Sequence, residues 1–242
     1  MTYLIDGSVN GLLTAVFNAF LTKKFPTAVS NCEIQFEINE EIIEIQTDKS
    51  KSDRVFNKLK ILLPYRDLEN FYVAFRSGDP AKYTVIFNYV TEIIKRNKNV
   101  SDDFSNPKIF NYIKMIEKVL REVHRFKGFV RFNKLENGIF YAKYFPDNDV
   151  NALILPHFIK RYTNMPFILH DLNHDVVSAY FNGKTKTVNK KINPLTVKDE
   201  FCKLFKTYYD TVSIKERRND KLMLNFMPKR YHKYMPEKDE LI

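Results

Sequence analysis

The side chains best suited to moving protons in this sequence are histidines, and four of the five, His124, His157, His170 and His232, stand in dense polar-aromatic stretches. His170-Asp171 invites a general-base reading, because a carboxylate can orient an imidazole for proton transfer. Neighbouring residues on a strand point to opposite faces, so these two are not expected to bond each other. His174 completes an H-x-x-x-H with His170, a spacing that chelates a metal only on a helix. Here the pair brackets Leu172-Asn173 between two expected strands, so no metal site is expected. His157, in Pro156-His157-Phe158, reads first as a packing histidine. The candidates for acid–base work are His124, His157, His170, Asp171 and Glu216.

Other chemistries are excluded by counting. The six glycines stand at 7, 11, 78, 128, 138 and 183, and none builds the G-x-G-x-x-G of a dinucleotide site. Gly183-Lys184-Thr185 ends like a phosphate loop, but Ser178 occupies the place of its first glycine. Without that glycine the backbone cannot wrap phosphates with its N–H groups. Two cysteines, Cys32 and Cys202, cannot form a three-cysteine iron–sulfur cradle or a four-cysteine zinc site. The chain therefore cannot be a radical-SAM enzyme by itself, and no cofactor is implied. Two cysteines also make no disulfide framework, so a reducing cytoplasm is the expected location. No apolar run approaches the ~18 residues of a membrane span. The first residues lack the basic-then-apolar pattern of a secretory signal, and no membrane partner is expected.

The formal net charge is +10, and its placement says more than its total. Residues 1–50 sum to −4, so the excess beyond residue 50 is +14. Lys outnumbers Arg 28 to 11, yet Arg121, Arg125, Arg131, Arg161, Arg217, Arg218 and Arg230 fall in a few dense places. Arg presents a planar fork to phosphate or carboxylate that Lys lacks. Buried structural ion pairs are the competing explanation. Three stretches set such cations beside aromatics, an arrangement that holds phosphates and stacks bases. In Glu122 to Phe132 a helix ending near His124 would leave Lys127, Phe129 and Arg131 on one strand face, opposite Gly128, Val130 and Phe132. An amphipathic strand with a solvated face is the alternative. The candidates for nucleic-acid contact are Arg125, Lys127, Phe129, Arg131, Arg161, Arg217, Arg218, Lys229, Arg230, Tyr231, Lys233 and Tyr234.

The elements that must position these residues follow from hydrophobic periodicity. Tyr3-Leu4-Ile5 reads as a strand, Asp6-Gly7-Ser8 as a turn with a cap, and Leu12, Leu13, Val16, Phe17 and Phe20 as a helix. Further helices are expected before Pro64, over 68–75, over 81–96 and over 109–124, with Pro107 suited to the start of the last. The acidic stretch Glu33 to Asp48 suits an edge strand or a solvated face. Strands are then expected at 129–132 and 139–142 around Asn137-Gly138, a type I′ hairpin signal. A helix over 150–162 follows, with strands at 167–170, 176–181 and 185–188 and a helix over 196–212. The class is α+β: a helical half, 1–126, and an antiparallel sheet with a packed helix and a basic-aromatic tail, 127–242.

These stretches together resemble a bacterial family of unknown function associated with DNA repair or DNA metabolism. Its members are typically encoded beside a radical-SAM protein with a helix-hairpin-helix DNA-binding region, and some are fused to a uracil-DNA-glycosylase-like domain. The resemblance runs through Tyr3 to Ser8 with Gly11-Leu12-Leu13, His124 to Phe132, and Pro156-His157-Phe158. It continues through Ile168 to Asp171, Glu216 to Asn219, and Phe226 to Tyr231 with Lys233-Tyr234. It implies DNA and a radical-SAM protein as partners. The sequence ends near the last of these motifs, so the expectation is that the glycosylase-like domain is lacking. His174 and the 184–191 loop lie outside the resemblance.

Three readings stand. The first is a DNA-binding accessory subunit of a repair or modification system. The second is a hydrolytic or transferase enzyme on nucleic acid or nucleotide, with His124, His157 or His170 carrying protons and Arg125, Arg217 or Arg230 on phosphate. It requires those side chains to converge in one pocket. The third is a protein–protein scaffold whose Arg residues meet an acidic partner.

Overall fold

The structure, a computed structural model, describes residues 1–32 and 41–194 with Thr211, Pro228 and Tyr231. The chain divides into two compact units, Met1–Leu120 and Arg121–Ile242. The class is α+β, with helices dominating the first half and a five-stranded sheet in the second.

In the first unit the strand-turn-helix start is present as β1 (Thr2–Leu4) and α1 (Val9–Thr22). Ser8 caps α1 by accepting from the Gly11 amide, as its position before an apolar-periodic run predicts. β1 lies between β2 (Ala28–Ser30) and β3 (Ile42–Glu44) and pairs with both in parallel. The described end of the acidic stretch is thus an edge strand, and residues 33–40 lie outside the described residues. Helices α2 (Lys49–Leu62) and α3 (Tyr65–Phe75) flank Pro64, which cannot continue a helix but suits the entry to one. They are followed by α4 (Lys82–Arg96) and α5 (Pro107–Phe129). Leu12, Val16, Leu59, Phe71, Ile86 and Val90 are wholly buried in this unit.

The second unit begins within α5. Its sheet has the order β4 (Asn133–Lys134), β5 (Phe140–Tyr144), β6 (Phe167–Asp171), β7 (Val176–Phe181) and β8 (Lys184–Asn189). All neighbours are antiparallel except β5 and β6, which run parallel. Helix α6 (Asn151–Arg161) connects them, because a parallel pair needs a crossover rather than a hairpin.

The structure corrects the sequence reading at two points. Residues 127–129 are helical, so Lys127, Phe129 and Arg131 do not share a strand face. The reason is visible in the burial: Ile116, Val119, Val123, Phe126 and Val130 keep a three-and-four spacing straight through the expected break. The Val130 amide still bonds the Phe126 carbonyl at 3.1 Å. The second point concerns turns. At the β4–β5 hairpin only Gly138 has a positive φ, 83°, and the Gly138 amide bonds the Leu135 carbonyl, as in a type I turn with a glycine bulge. The type I′ signature belongs instead to the β7–β8 turn, where Asn182 (φ 47°) and Gly183 (φ 75°) are both left-handed. That hairpin tip uses up the Gly183-Lys184-Thr185 sequence and leaves no phosphate loop there.

Candidate nucleic-acid interface

The second unit is built around two carboxylates that the fold takes out of water. The Glu122 side chain sits in the apolar stripe of α5, and the residue is 4% exposed. Its Oε1 accepts from the Asp147 amide at 2.8 Å and the Tyr231 hydroxyl at 2.7 Å. Its Oε2 accepts from the Asn148 amide at 2.8 Å and the Asn148 Nδ2 at 2.5 Å. A buried carboxylate is tolerated only when its lone pairs are met, and here four donors meet them. Asp171, wholly buried at the end of β6, accepts from the amides of Asn173 and His174 and from His174 Nδ1 at 2.9 Å. Burial pulls the His174 imidazole toward its neutral form, but the bond and charge of Asp171, aided by Asp149 and Glu122, outweigh it and raise the pKa.

His170 and Asp171 face apart, as strand alternation requires. His170 Nδ1 lies 2.8 Å from the Tyr141 hydroxyl, inside the unit. Its desolvation lowers the pKa despite Asp171 and Asp175, so it is a neutral packing residue. The partner of Asp171 is His174, which the sequence reading assigned to no site. The signal was present in the Asp-x-x-His spacing, since a short turn lets an aspartate cap the amides two and three residues on. Among the described residues no group of three or more His, Cys, Asp or Glu is placed to hold a metal.

The cations stay outside. Residues 121–194 carry twelve Lys or Arg against six Asp or Glu. With the inner face of α5 spent on Val123 and Phe126, Arg121 and His124 are exposed, and Arg125 and Lys127 are half-buried. On α6, Ile154 and Phe158 face inward while Lys160 and Arg161 are exposed. His157, half-buried on the same helix, feels the charge of two of these groups. Desolvation first, then the charges of Lys127 and Arg161, lower its pKa. Its Nε2 is shut off from solvent and has no hydrogen-bond partner. The Arg161 guanidinium lies 5.8 Å from the centre of the half-buried Tyr162 ring. Tyr162 in turn lies parallel to Phe140 and Phe158, at 6.5 and 6.4 Å, with Phe132 edge-on at 5.0 Å.

The expected residues thus separate into groups. The charges of Lys127 and Arg161 both act on the His157 imidazole, and His124 and Arg125 share a helix with Lys127. Arg131 serves the helix end, its guanidinium donating to the Gly128 carbonyl at 2.6 Å, as suits the negative end of the dipole. Tyr231, expected to meet nucleic acid, is 2% exposed instead: its ring packs edge-on against Phe126 at 4.9 Å and its hydroxyl holds Glu122. Phe129 is half-buried, 6.5 Å from the same ring. Glu216, Arg217, Arg218, Lys229, Arg230, Lys233 and Tyr234 lie outside the described residues. No hydrogen bond links His124, His157 and His170 to one another; the last is held in the sheet by Tyr141.

A protein-family model matches residues 80–237, well over half of the chain and all of the elements just described. The chain belongs to that family, the domain of unknown function DUF4130. The DUF4130 match begins at the approach to α4 and takes in the Glu122 and Asp171 networks together with Lys127, His157 and Arg161. No curated protein and no solved structure matches the chain.

Proposed function

We propose that this protein binds DNA through the cationic face of its second unit, as an accessory subunit of a DNA repair or modification system working with a radical-SAM partner. The feature that supports it best is that the charges of Lys127 and Arg161, and of no carboxylate, act on the His157 imidazole. Neither cation makes an ion pair with a described residue, so neither is spent on a structural bridge. The adjoining rings of Tyr162, Phe140 and Phe132 give the cations an aromatic neighbour of the kind that stacks bases. DNA and the radical-SAM partner, rather than another polyanion, come from the resemblance carried by His124 to Phe132 and the other quoted motifs.

Phosphate contacts of this type release counterions, so affinity falls steeply with salt. The test is fluorescence anisotropy with single- and double-stranded oligonucleotides over a salt series. Lys127→Ala with Arg161→Ala should weaken binding evenly across sequences and reduce the salt slope by about 2. Absence of any shift with either form of DNA at low salt overturns the proposal.

A further inference from the structure

The edge of the second unit's sheet carries cations of its own. Among the described residues β8 pairs with β7 alone, and the stretch from its turn onward holds Lys184, Lys186, Lys190 and Lys191. All four are exposed, and none makes an ion pair or side-chain hydrogen bond with a described residue. No Asp or Glu occurs from 176 to 194. Asp175, the nearest in sequence, is half-buried, and Asp171 is wholly buried and bonded to His174. Lysines on an edge strand also deter edge-to-edge pairing. A merely soluble surface mixes the two signs, however, whereas a run of one sign without counter-charges draws an anion.

Register fixes where these side chains stand. On β7, Val176, Ser178 and Tyr180 are buried. The Ser178 hydroxyl donates to Asn151 of α6, and the Tyr180 hydroxyl donates to the Thr163 carbonyl just beyond that helix. The alternate residues, Ala179 and Phe181, therefore face away from α6. Lys186 pairs with Ala179 and Lys184 with Phe181, and directly opposed residues share a face. The two lysines thus stand about 7 Å apart on the side of the sheet opposite α6. Beside Lys184 the Phe181 side chain is 59% exposed. The hairpin that carries them is braced: Asn182 and Gly183 form its turn, and Thr187 Oγ1 lies 2.8 Å from Ser178 Oγ across the strands. A ring and cations held in place lose little freedom on binding.

We propose that the β7–β8 hairpin is a second DNA contact, on which a single strand lays phosphates along Lys184 and Lys186 and stacks an unpaired base on Phe181. Cations beside an exposed ring hold a single strand without reading its sequence. A duplex keeps its base faces stacked, so it gains the phosphate contacts but not the ring. An anionic membrane is the poorer match, because Phe181 is the one exposed large apolar side chain from 176 to 191 and membrane binding scales with buried apolar area. The inference rests on the reading of this protein as a DNA binder and adds a surface separate from α6 and its Arg161.

The test is fluorescence anisotropy of the full chain with an oligothymidylate and a duplex of equal length over a salt series. Lys184→Gln with Lys186→Gln should lower the single-strand salt slope by about 1.4. Phe181→Leu keeps an apolar side chain without a ring face, so single-strand affinity should fall at least about fivefold while duplex affinity holds. Phe181→Tyr, which keeps the ring, should bind as wild type, and the melting temperatures of these exposed-site variants should match wild type. Wild-type affinity and slope in both the lysine and the leucine variants overturn this inference and leave the Lys127–Arg161 face standing. An equal loss for single strand and duplex in Phe181→Leu overturns the stacking. Hairpin-dependent sedimentation with phosphatidylserine vesicles, without any shift on DNA, assigns the surface to membranes and overturns the proposal. No binding of either DNA by the wild type overturns both readings. Binding that survives loss of Lys127 and Arg161 but not of the hairpin lysines overturns the Lys127–Arg161 assignment alone and supports this one.

Discussion

Glu122→Gln is the sharpest probe of how the second unit is held. The wild-type carboxylate is acceptor-only and receives four donors, two on each oxygen. A glutamine keeps the shape but replaces one oxygen with an NH₂ group. In either orientation that group faces two donors, either the Asp147 amide and Tyr231 hydroxyl or the two nitrogens of Asn148. Hydrogen bonds to a charged acceptor are each worth about 1.5–3 kcal/mol, and stranded buried donors add a penalty of about 1–3 kcal/mol. Because the losses share one residue they do not add fully, and the expected destabilisation is about 3–5 kcal/mol. Tyr231→Phe removes one donor and keeps the ring against Phe126, so it should cost about 1.5–3 kcal/mol, less than Glu122→Gln.

Urea unfolding followed by circular dichroism and tyrosine fluorescence reads both changes, and the double variant reads their coupling. If Tyr231 acts through Glu122, its substitution should cost almost nothing once the carboxylate is gone. A loss below about 1 kcal/mol for Glu122→Gln, against the several expected from two mismatched bonds and the lost charge, would refute the reasoning. So would full additivity of the two changes.

Two further outcomes follow from the hydrogen bonding. His174, whose pKa is raised, contributes stability that is complete below the ordinary histidine value of about 6.5 and is lost as pH rises through its higher folded value. His170, whose pKa is lowered, acts oppositely: its contribution holds above about 6.5 and is lost as pH falls through that range. Ring-proton NMR should order the two, and His174→Gln should abolish the alkaline loss of stability relative to wild type; identical pH profiles would contradict this. In the first unit, a β-carbon at Gly11 would overlap Asp6 Oδ1, which accepts from the Ser8 amide at 2.8 Å, beside the 2.7 Å bond from the Thr47 hydroxyl to Oδ2. Gly11→Ala should therefore lower stability by about 1–3 kcal/mol, although alanine favours helices. A gain in melting temperature would show that the Asp6 contact gives way without cost.

Much of the element order could be read from local pattern because each element's signal is local. Ser8 before Leu12 and Leu13, Pro64 between two apolar runs, and Pro107 ahead of Ile109 mark helix ends through backbone chemistry alone. The stretch from His124 to Phe132 was misread because it satisfies two periods at once. Cations and aromatics alternate at 127, 129 and 131, while Val123, Phe126 and Val130 continue a helical stripe. Burial chose the helix, since the stripe extends the inner face already set by Ile116 and Val119. The parallel β5–β6 pair was equally hidden, because strand direction is fixed by the α6 crossover and not by either strand's residues. Sites made of distant residues were the least legible. Tyr231 looked like a ligand-facing residue among cations, and only its bond to Glu122, 109 positions away, shows it as core.

The same physics that buries Glu122 and Asp171 also shapes what a phosphate would meet. Two of the six acids in residues 121–194 are withdrawn to accept backbone and side-chain donors, whereas long Lys and Arg side chains keep their charged ends in water. Charges are screened over about 8 Å at physiological salt, so an approaching anion responds to the groups it touches more than to the total. Around His157 those groups are Lys127 and Arg161. Folding thus converts a modest surplus of cations in the sequence into a local face where carboxylates are few, and it does so through hydrogen bonds whose first duty is to order the 145–149 and 171–175 turns. On the proposed reading, loosening Glu122 should for this reason weaken binding to DNA indirectly, through lost structure. Removing Lys127 and Arg161 should weaken it with the fold intact, and the salt slope distinguishes the two.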